Sequence, residues 1–320
     1  DELLAQIGDA ELFADDWRRS VALVSLPEAL ESLHRPSDTS EIEPARRRLA
    51  YEELFFLQLL HARARRRYRE LDAGVELRGA SGRADDFIAS IPFELTGAQR
   101  RAWSEIRADL ESPARMYRLL QGDVGSGKTV VAAAAMVLAV DSGYQAVLMA
   151  PTELLAEQHL RTLTALLSDV GIEPRLLTGA VTGGARSAIL AAAADGSARV
   201  IVGTHALIQS GVEFGRPGLM VIDEQHRFGV EQRRALRDAG GAADTLVMTA
   251  TPIPRSLALS LYGDLDLSVI DEMPPGRKPI VTGVRGPRAR AGARALLRAQ
   301  LGGGGQGVVG YPRVVVCDGG

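Results

Sequence analysis

Cysteine is almost missing from this chain: Cys317 is the only one in 320 residues. A single thiol excludes an intrachain disulfide and any cysteine-rich zinc site. An excess of positive charge is missing too, since 37 Lys and Arg face 40 Asp and Glu for a net charge of −3. No global basic footprint points to nucleic acid, so any contact with a phosphate backbone has to be local, through loops and helix ends. Long apolar runs are also lacking. The Ala-rich stretch Thr129 to Val140 (TVVAAAAMVLAV) is too short to span a bilayer, and no signal-peptide pattern is present. The expected compartment is the cytoplasm, with no membrane partner. What remains is ordinary for a globular protein: 46% hydrophobic and 24% charged residues, in a length that allows two domains or one with an extension.

Three regions differ in character. Residues 1–90 read as a mainly helical segment, with one long helix expected over Pro44 to Leu71. Arg46, Arg47, Arg48, Arg63, Arg65, Arg66, Arg67 and Arg69 crowd the ends of that helix, either as a solvated surface or as phosphate contacts. Ala73 to Ala89 reads as a linker. Residues 91–275 alternate apolar strands with helices. Strands are expected at Tyr117 to Gln121, Gln145 to Ala150, Arg175 to Thr178, Arg199 to Gly203, Leu219 to Asp223 and Thr245 to Thr249. Helices are expected at Gly97 to Leu110, after Lys128, at Thr152 to Leu167, at Arg186 to Ala194 and at Pro252 to Tyr262. That alternation predicts an α/β fold, a parallel sheet covered by helices on both faces, with ligands beyond the carboxyl ends of its strands. Residues 276–320 begin with a Pro-rich turn, continue into a strand-like Ile280 to Val284 and end in a Gly-rich tail.

One motif organises the middle region. Gly122-Asp123-Val124-Gly125-Ser126-Gly127-Lys128-Thr129 fits G-x-x-x-x-G-K-[ST], between an expected strand and an expected helix. Its glycines let the backbone wrap a phosphate with amide hydrogens pointing inward, and the helix N-terminus adds positive potential at the same place. Lys128 can reach the β- and γ-phosphates of a nucleoside triphosphate, and the Thr129 hydroxyl can hold Mg²⁺. Upstream, Thr96 and Gln99 have capping-box spacing, and Gln99 is equally a candidate to read adenine. Downstream, Asp223-Glu224-Gln225-His226 closes an apolar strand. Asp223 suits Mg²⁺ from the side opposite Thr129, and Glu224 suits orientation and deprotonation of an attacking water. His226 is expected within reach of Thr249-Ala250-Thr251; no ligand cluster accompanies it, so zinc is excluded.

The order of GDVGSGKT, APTELLAEQH (Ala150 to His159), GTHAL (Gly203 to Leu207), DEQH and TATPIPR (Thr249 to Arg255) resembles motifs I, Ia, Ib, II and III of superfamily 2 helicases. Longer runs resemble the RecG family of branch-migrating DNA helicases. They are RLLQGDVGSGKT, DEQHRFGVEQR, MTATPIPRSLAL and YGDLDLSVIDEMPPGRKPI, with LPEALESLHRP and RRRLAYEELFFLQ nearer the start. The resemblance covers roughly residues 20–285. Transcription-repair coupling translocases share HRFGV and TATPIPR, but usually carry Glu where Gln225 stands and Phe where Ser126 stands.

The resemblance implies a P-loop domain of the RecA type that uses ATP and Mg²⁺ on branched DNA, stalled forks and Holliday junctions, as a monomeric motor. By the same likeness Gln99 reads adenine. Pro151, Thr152, Glu153, Gly203, Thr204 and His205 contact the DNA backbone. Thr249 and Thr251 couple hydrolysis to movement, while His226 relays the state of the γ-phosphate. The family also has a wedge domain ahead of these motifs and a second RecA-like lobe after them. The expectation for these 320 residues alone is weak ATP binding, slow hydrolysis and no unwinding, so a binding lobe without motor activity stays open beside the coupling translocase.

Overall fold

The computed structural model describes residues 11–70, 74–208, 211–224, 241–251, 265–274, 282–284, 286 and 290–309. Gln225, His226, the expected helix Pro252 to Tyr262 and the end of the tail lie outside the described residues, as do Ile280 and Val281 of the expected strand. The chain divides into two compact units, Asp1–Pro275 and Gly276–Gly320.

In the first unit seven strands among the described residues form one sheet: β1 (Tyr117–Gly122), β2 (Gln145–Met149), β3 (Pro174–Leu177), β4 (Val200–Gly203), β5 (Pro217–Asp223), β6 (Asp244–Thr249) and β7 (Asp266–Ile270). Their spatial order is β3-β4-β2-β5-β6-β1-β7, and every neighbouring pair is parallel. Six of these strands follow the apolar runs of the sequence. β7 does not: its outward Val269 and half-buried Asp266 and Leu267 give an edge strand that periodicity alone leaves unmarked.

Strand side chains alternate between two cores, which is what a sheet buried on both faces requires. Ala146, Leu148, Leu219, Val221, Leu246 and Met248 face one core; Val147, Met149, Met220, Ile222 and Val247 face the other. The first core takes α4 (Arg83–Ser90), α5 (Gly97–Leu110), α6 (Lys128–Asp141) and α7 (Glu153–Leu167). The second takes Ala193 of α8 (Gly183–Ala194) together with Leu207 and Leu265. Helix α6 is buried all round from Val130 to Val140, and its run of four alanines lets neighbouring helices come close. α4 corrects the linker expected over Ala73 to Ala89. A left-handed Gly82 opens it, and Ala84 and Phe87 on one face reach the core.

Ahead of the sheet run α1 (Asp15–Ser20), α2 (Leu26–His34) and the 29-residue α3 (Ile42–Glu70). Ser25 and Glu28 form a reciprocal capping box that starts α2. The arginines of α3 do not share one environment. Arg46 and Arg47 are exposed, but Arg48 is fully buried. It pairs with Glu11 at 2.8 Å and Glu52 at 2.5 Å and lies 4.8 Å from the Phe13 ring centroid. Neither a solvated surface nor a phosphate contact describes it. In the second unit α9 (Arg290–Gly302) forms ahead of the Gly-rich tail, over residues for which no element was expected, from the Ala, Leu and Arg that precede the glycines.

The β1–β6 pairing carries a buried acid. Asp244 Oδ1 accepts from Met116 N at 2.6 Å, and Thr245 N donates to Met116 O at 2.9 Å, which sets the register Tyr117 to Thr245. Oδ2 is buried without a partner. Burial pushes the Asp244 carboxyl up to about 8, against the pull of the Met116 N–H and the Arg115 charge. The folded state therefore holds a proton that the unfolded chain releases above its ordinary value. This contribution to stability is complete below 3.8 and is lost as pH rises to about 8. One such group gives a slope of at most about 1.4 kcal/mol per pH unit. Urea unfolding at about pH 5 and about pH 8 should show stability falling with pH, and Asp244→Asn should flatten the slope. An unchanged slope in the variant would contradict the assignment.

Candidate functional site

β1 delivers the chain to the Gly122–Thr129 loop, and the loop closes on itself before α6 begins. Ser126 N donates to Asp123 O at 3.1 Å and Val124 N to Asp123 Oδ1 at 2.7 Å. Two glycines sit where an added side chain would push a neighbour aside. A Cβ on Gly122 would lie 2.5 Å from Ser126 Oγ, and one on Gly127, at φ +87°, would lie 2.1 Å from Gln99 Nε2. Lys128 Nζ folds back over the loop and donates to Gly122 O at 2.7 Å and Asp123 O at 3.0 Å. Burial pushes its ammonium below the usual lysine range, while the Asp223, Glu224 and Asp123 carboxylates draw it back up. Thr129 sits beside it in the first turn of α6, and Ser126 Oγ is buried without a hydrogen-bond partner.

Gln99 is buried and fully engaged. Its Oε1 accepts from Thr96 N at 2.8 Å and its N–H donates to Thr96 Oγ1 at 3.2 Å, so the capping box is complete. Its Nε2 donates to Ser126 O at 2.8 Å. One side chain thus caps α5 and ties that cap to the phosphate loop. Asp271 and Glu272, after β7, hold the same helix through Arg101, and Glu272 accepts from Ala98 N at 3.1 Å.

The sheet brings the acidic motif to this loop. β6 lies between β1 and β5, with Gln121 level with Thr249 and Asp223 level with Met248. Glu224 leaves β5 in the left-handed region at φ +53°, an unusual state for a residue with a side chain. Its N–H donates to Met248 O at 2.9 Å and its Oε1 accepts from Ala250 N at 2.9 Å, which fixes the turn against the end of β6. Thr249 Oγ1 accepts from Thr251 N at 3.2 Å. The structure thus brings Lys128, Thr129, Asp223, Glu224, Thr249 and Thr251 to the carboxyl ends of three adjacent strands.

A residue not singled out from the sequence joins them. His159 Nε2 lies 2.8 Å from Asp223 Oδ2, with both side chains 13% exposed. The signal was its spacing: Ala156, His159, Leu163 and Leu167 occupy the inward stripe of α7, where an apolar residue is expected.

Residues 151–153 and 203–205 gather on the other side of β5, at the ends of β2 and β4. Met149 is level with Gly203, and Ala150 N donates to Gly203 O at 2.8 Å. Gly203 has no room for a side chain, since a Cβ would stand 2.1 Å from Leu177 O. Thr152 caps α7 by accepting from Leu155 N at 3.3 Å, and Glu153 accepts from Ala180 N at 3.1 Å. Thr204 is buried with its hydroxyl unpaired, Pro151 is half-buried and His205 is exposed.

A sequence profile of the DEAD/DEAH box helicase family matches residues 96–259. The chain is 50% identical over 283 residues to the ATP-dependent DNA helicase RecG of Bacillus subtilis, covering 88% of this chain and 42% of that protein. It is 47% identical over 297 residues to RecG of Thermotoga maritima, covering 92% and 38%. It also superposes on a solved RecG bound to a three-way DNA junction with TM-score 0.80 and 43% identity, over 92% of this chain and 40% of that one. The chain thus spans about two fifths of the length of these relatives.

The Gln99–Gly127 contact makes a measurable demand. Gly127→Ala should destabilise the fold by roughly 1–3 kcal/mol, from its left-handed backbone and the clash with Gln99. In a Gln99→Ala background the same change should cost less, because only the backbone strain remains. Equal costs in the two backgrounds, measured by denaturant unfolding, would contradict the packing.

Proposed function

Because the chain belongs to the DEAD/DEAH box helicase family, we propose that it is the ATP-binding motor part of an ATP-dependent helicase acting on branched DNA. The observation that carries this reading is the meeting of the Gly122–Thr129 loop, Asp223-Glu224 and Thr249 at three neighbouring strand ends. Residues 91–275 are the ATP-binding domain of this reading, residues 1–90 the helical approach to it, and residues 276–320 the link onward to a second lobe.

The residues present suit a nucleoside triphosphate with Mg²⁺. Lys128 is held by loop carbonyls, which phosphate oxygens can replace. In this reading the start of α6 and the loop residues Gly122, Asp123, Val124, Gly125, Ser126 and Gly127 supply the cradle, with the Val124 and Ser126 N–H groups turning from Asp123 to phosphate oxygens. Thr129 and Asp223 are the groups that would hold Mg²⁺, which neutralises charge on the phosphate oxygens when bound. Among the described residues no three His, Cys, Asp or Glu cluster to hold a metal by themselves, which suits an ion shared with a nucleotide. Glu224, oriented by Ala250 N–H, is the group to take a proton from an attacking water. Gln99 reaches adenine only by giving up Thr96 or Ser126, so its first task is to hold the loop.

Pro151, Thr152, Glu153, Gly203, Thr204 and His205 are the DNA-facing set in this reading, with small polar groups and a helix start suited to phosphates rather than base edges. In this reading Thr249 and Thr251 transmit the state of the nucleotide site, which the contacts of Thr249 with Glu224 and Thr251 support. Branched DNA as substrate rests on likeness to RecG, of which one structure holds a three-way junction. That likeness also ranks a coupling-type duplex translocase lower. No described helix is long and apolar enough to cross a membrane.

ATP hydrolysis by the whole helicase of which this chain is the proposed motor part, measured with linear duplex and with a three-way junction, tests the reading. Junction DNA should raise turnover more than duplex, and Lys128→Ala should lower it roughly 100-fold or more. Turnover indifferent to Lys128 would overturn the proposal.

A further inference from the structure

The proposed metal carboxylate is held from outside its own strand. Asp223 ends β5, and its Oδ2 meets His159 Nε2 at 2.8 Å. An ionised carboxylate only accepts hydrogen bonds, so the ring nitrogen carries the proton and donates. A lone His on a buried helical stripe is ordinarily a satisfied core residue. Here its partner is an acid at the mouth of the phosphate loop, within the electrostatic reach of Lys128. The helix that carries the ring is firmly seated. Ala156, Leu163 and Leu167 on the same stripe are fully buried, and Thr152 caps the helix two turns earlier. An Asp rotates freely about χ1 and χ2 unless something fixes it; here one N–H holds one oxygen, and the other has no hydrogen bond among the described residues.

We propose that His159 is a positioning residue for Mg²⁺: from α7 it locks the Asp223 carboxylate in the rotamer that presents its second oxygen to the metal. The proposal rests on the nucleotide-site reading above. It assigns a role to the motif APTELLAEQH beyond the DNA contacts expected of Pro151, Thr152 and Glu153. A single helix thereby begins at the proposed DNA-facing loop and grips the proposed metal carboxylate with its second turn.

Binding of a fluorescent mant-ADP to this chain, titrated with Mg²⁺ and repeated in EDTA, separates the roles. His159→Ala should leave affinity in EDTA unchanged and raise the Mg²⁺ needed for half-maximal binding roughly 10-fold, the usual loss for removing a ligand's orienting partner. His159→Gln, whose amide nitrogen can occupy the place of Nε2, should recover most of that loss. Should the alanine variant unfold, His159→Phe keeps the ring volume without the N–H and should show the same Mg²⁺ shift. An unchanged Mg²⁺ requirement in the variants would overturn the proposal. So would an equal loss with and without Mg²⁺, because that is a packing defect. Failure of the parent chain to bind mant-ADP at all overturns the nucleotide reading itself, a result distinct from either.

Discussion

The parallel pairing of β5, β6 and β1 is the constraint from which the rest follows. Parallel strands all end on the same side, so whatever follows each of them is gathered there without further design. The register places Gln121 beside Thr249 and Asp223 beside Met248, so the loop that carries Lys128, an acidic turn and a threonine pair come within side-chain reach. The opposite ends of β1 and β6 are pinned by Asp244 on Met116. That buried acid is far from the chemistry but sets the pairing on which the site depends.

Around this core the polar groups are mostly spent on one another. Lys128 rests on its own loop, Glu224 on Ala250, Gln99 on Thr96 and Ser126, and Asp223 on His159. Such contacts give a site that is prepared before ligand arrives, since each group is already fixed in direction. They also mean that a ligand displaces something. In the proposed reading a phosphate would take the place of carbonyl oxygens at Lys128, in a loop that Gln99 ties to the cap of α5. The left-handed backbone at Glu224 is the strained point of the arrangement, held by a bond on either side of it.

Much of this was legible in the residues. Six apolar runs gave six strands, the G-x-x-x-x-G-K-T pattern gave the loop, and Thr96 with Gln99 gave the capping box. α5 runs over Gly97–Leu110 as its pattern indicates. The misses have physical reasons. α4 hides in a Gly- and Asp-containing stretch because it is only eight residues long, too short for its apolar face of Ala84, Phe87 and Ile88 to show as a period. β7 is half exposed and lacks a run. Arg48 looks like its charged neighbours until the fold supplies Glu11, Glu52 and Phe13 around it. His159 needs β5 before its partner can be known, because 64 residues separate it from Asp223. Whether Gln99 caps or reads a base depends on what else competes for one amide, and pattern alone cannot weigh that.

Hydrogen exchange of this chain with and without MgATP tests the central claim most directly, because it reads each strand end separately. Convergence on one ligand predicts added protection at residues 122–130, 221–224 and 248–251 together, with the far ends of the same strands unchanged. Protection at the loop alone, with the ends of β5 and β6 indifferent to nucleotide, would contradict a site built jointly by the three strands.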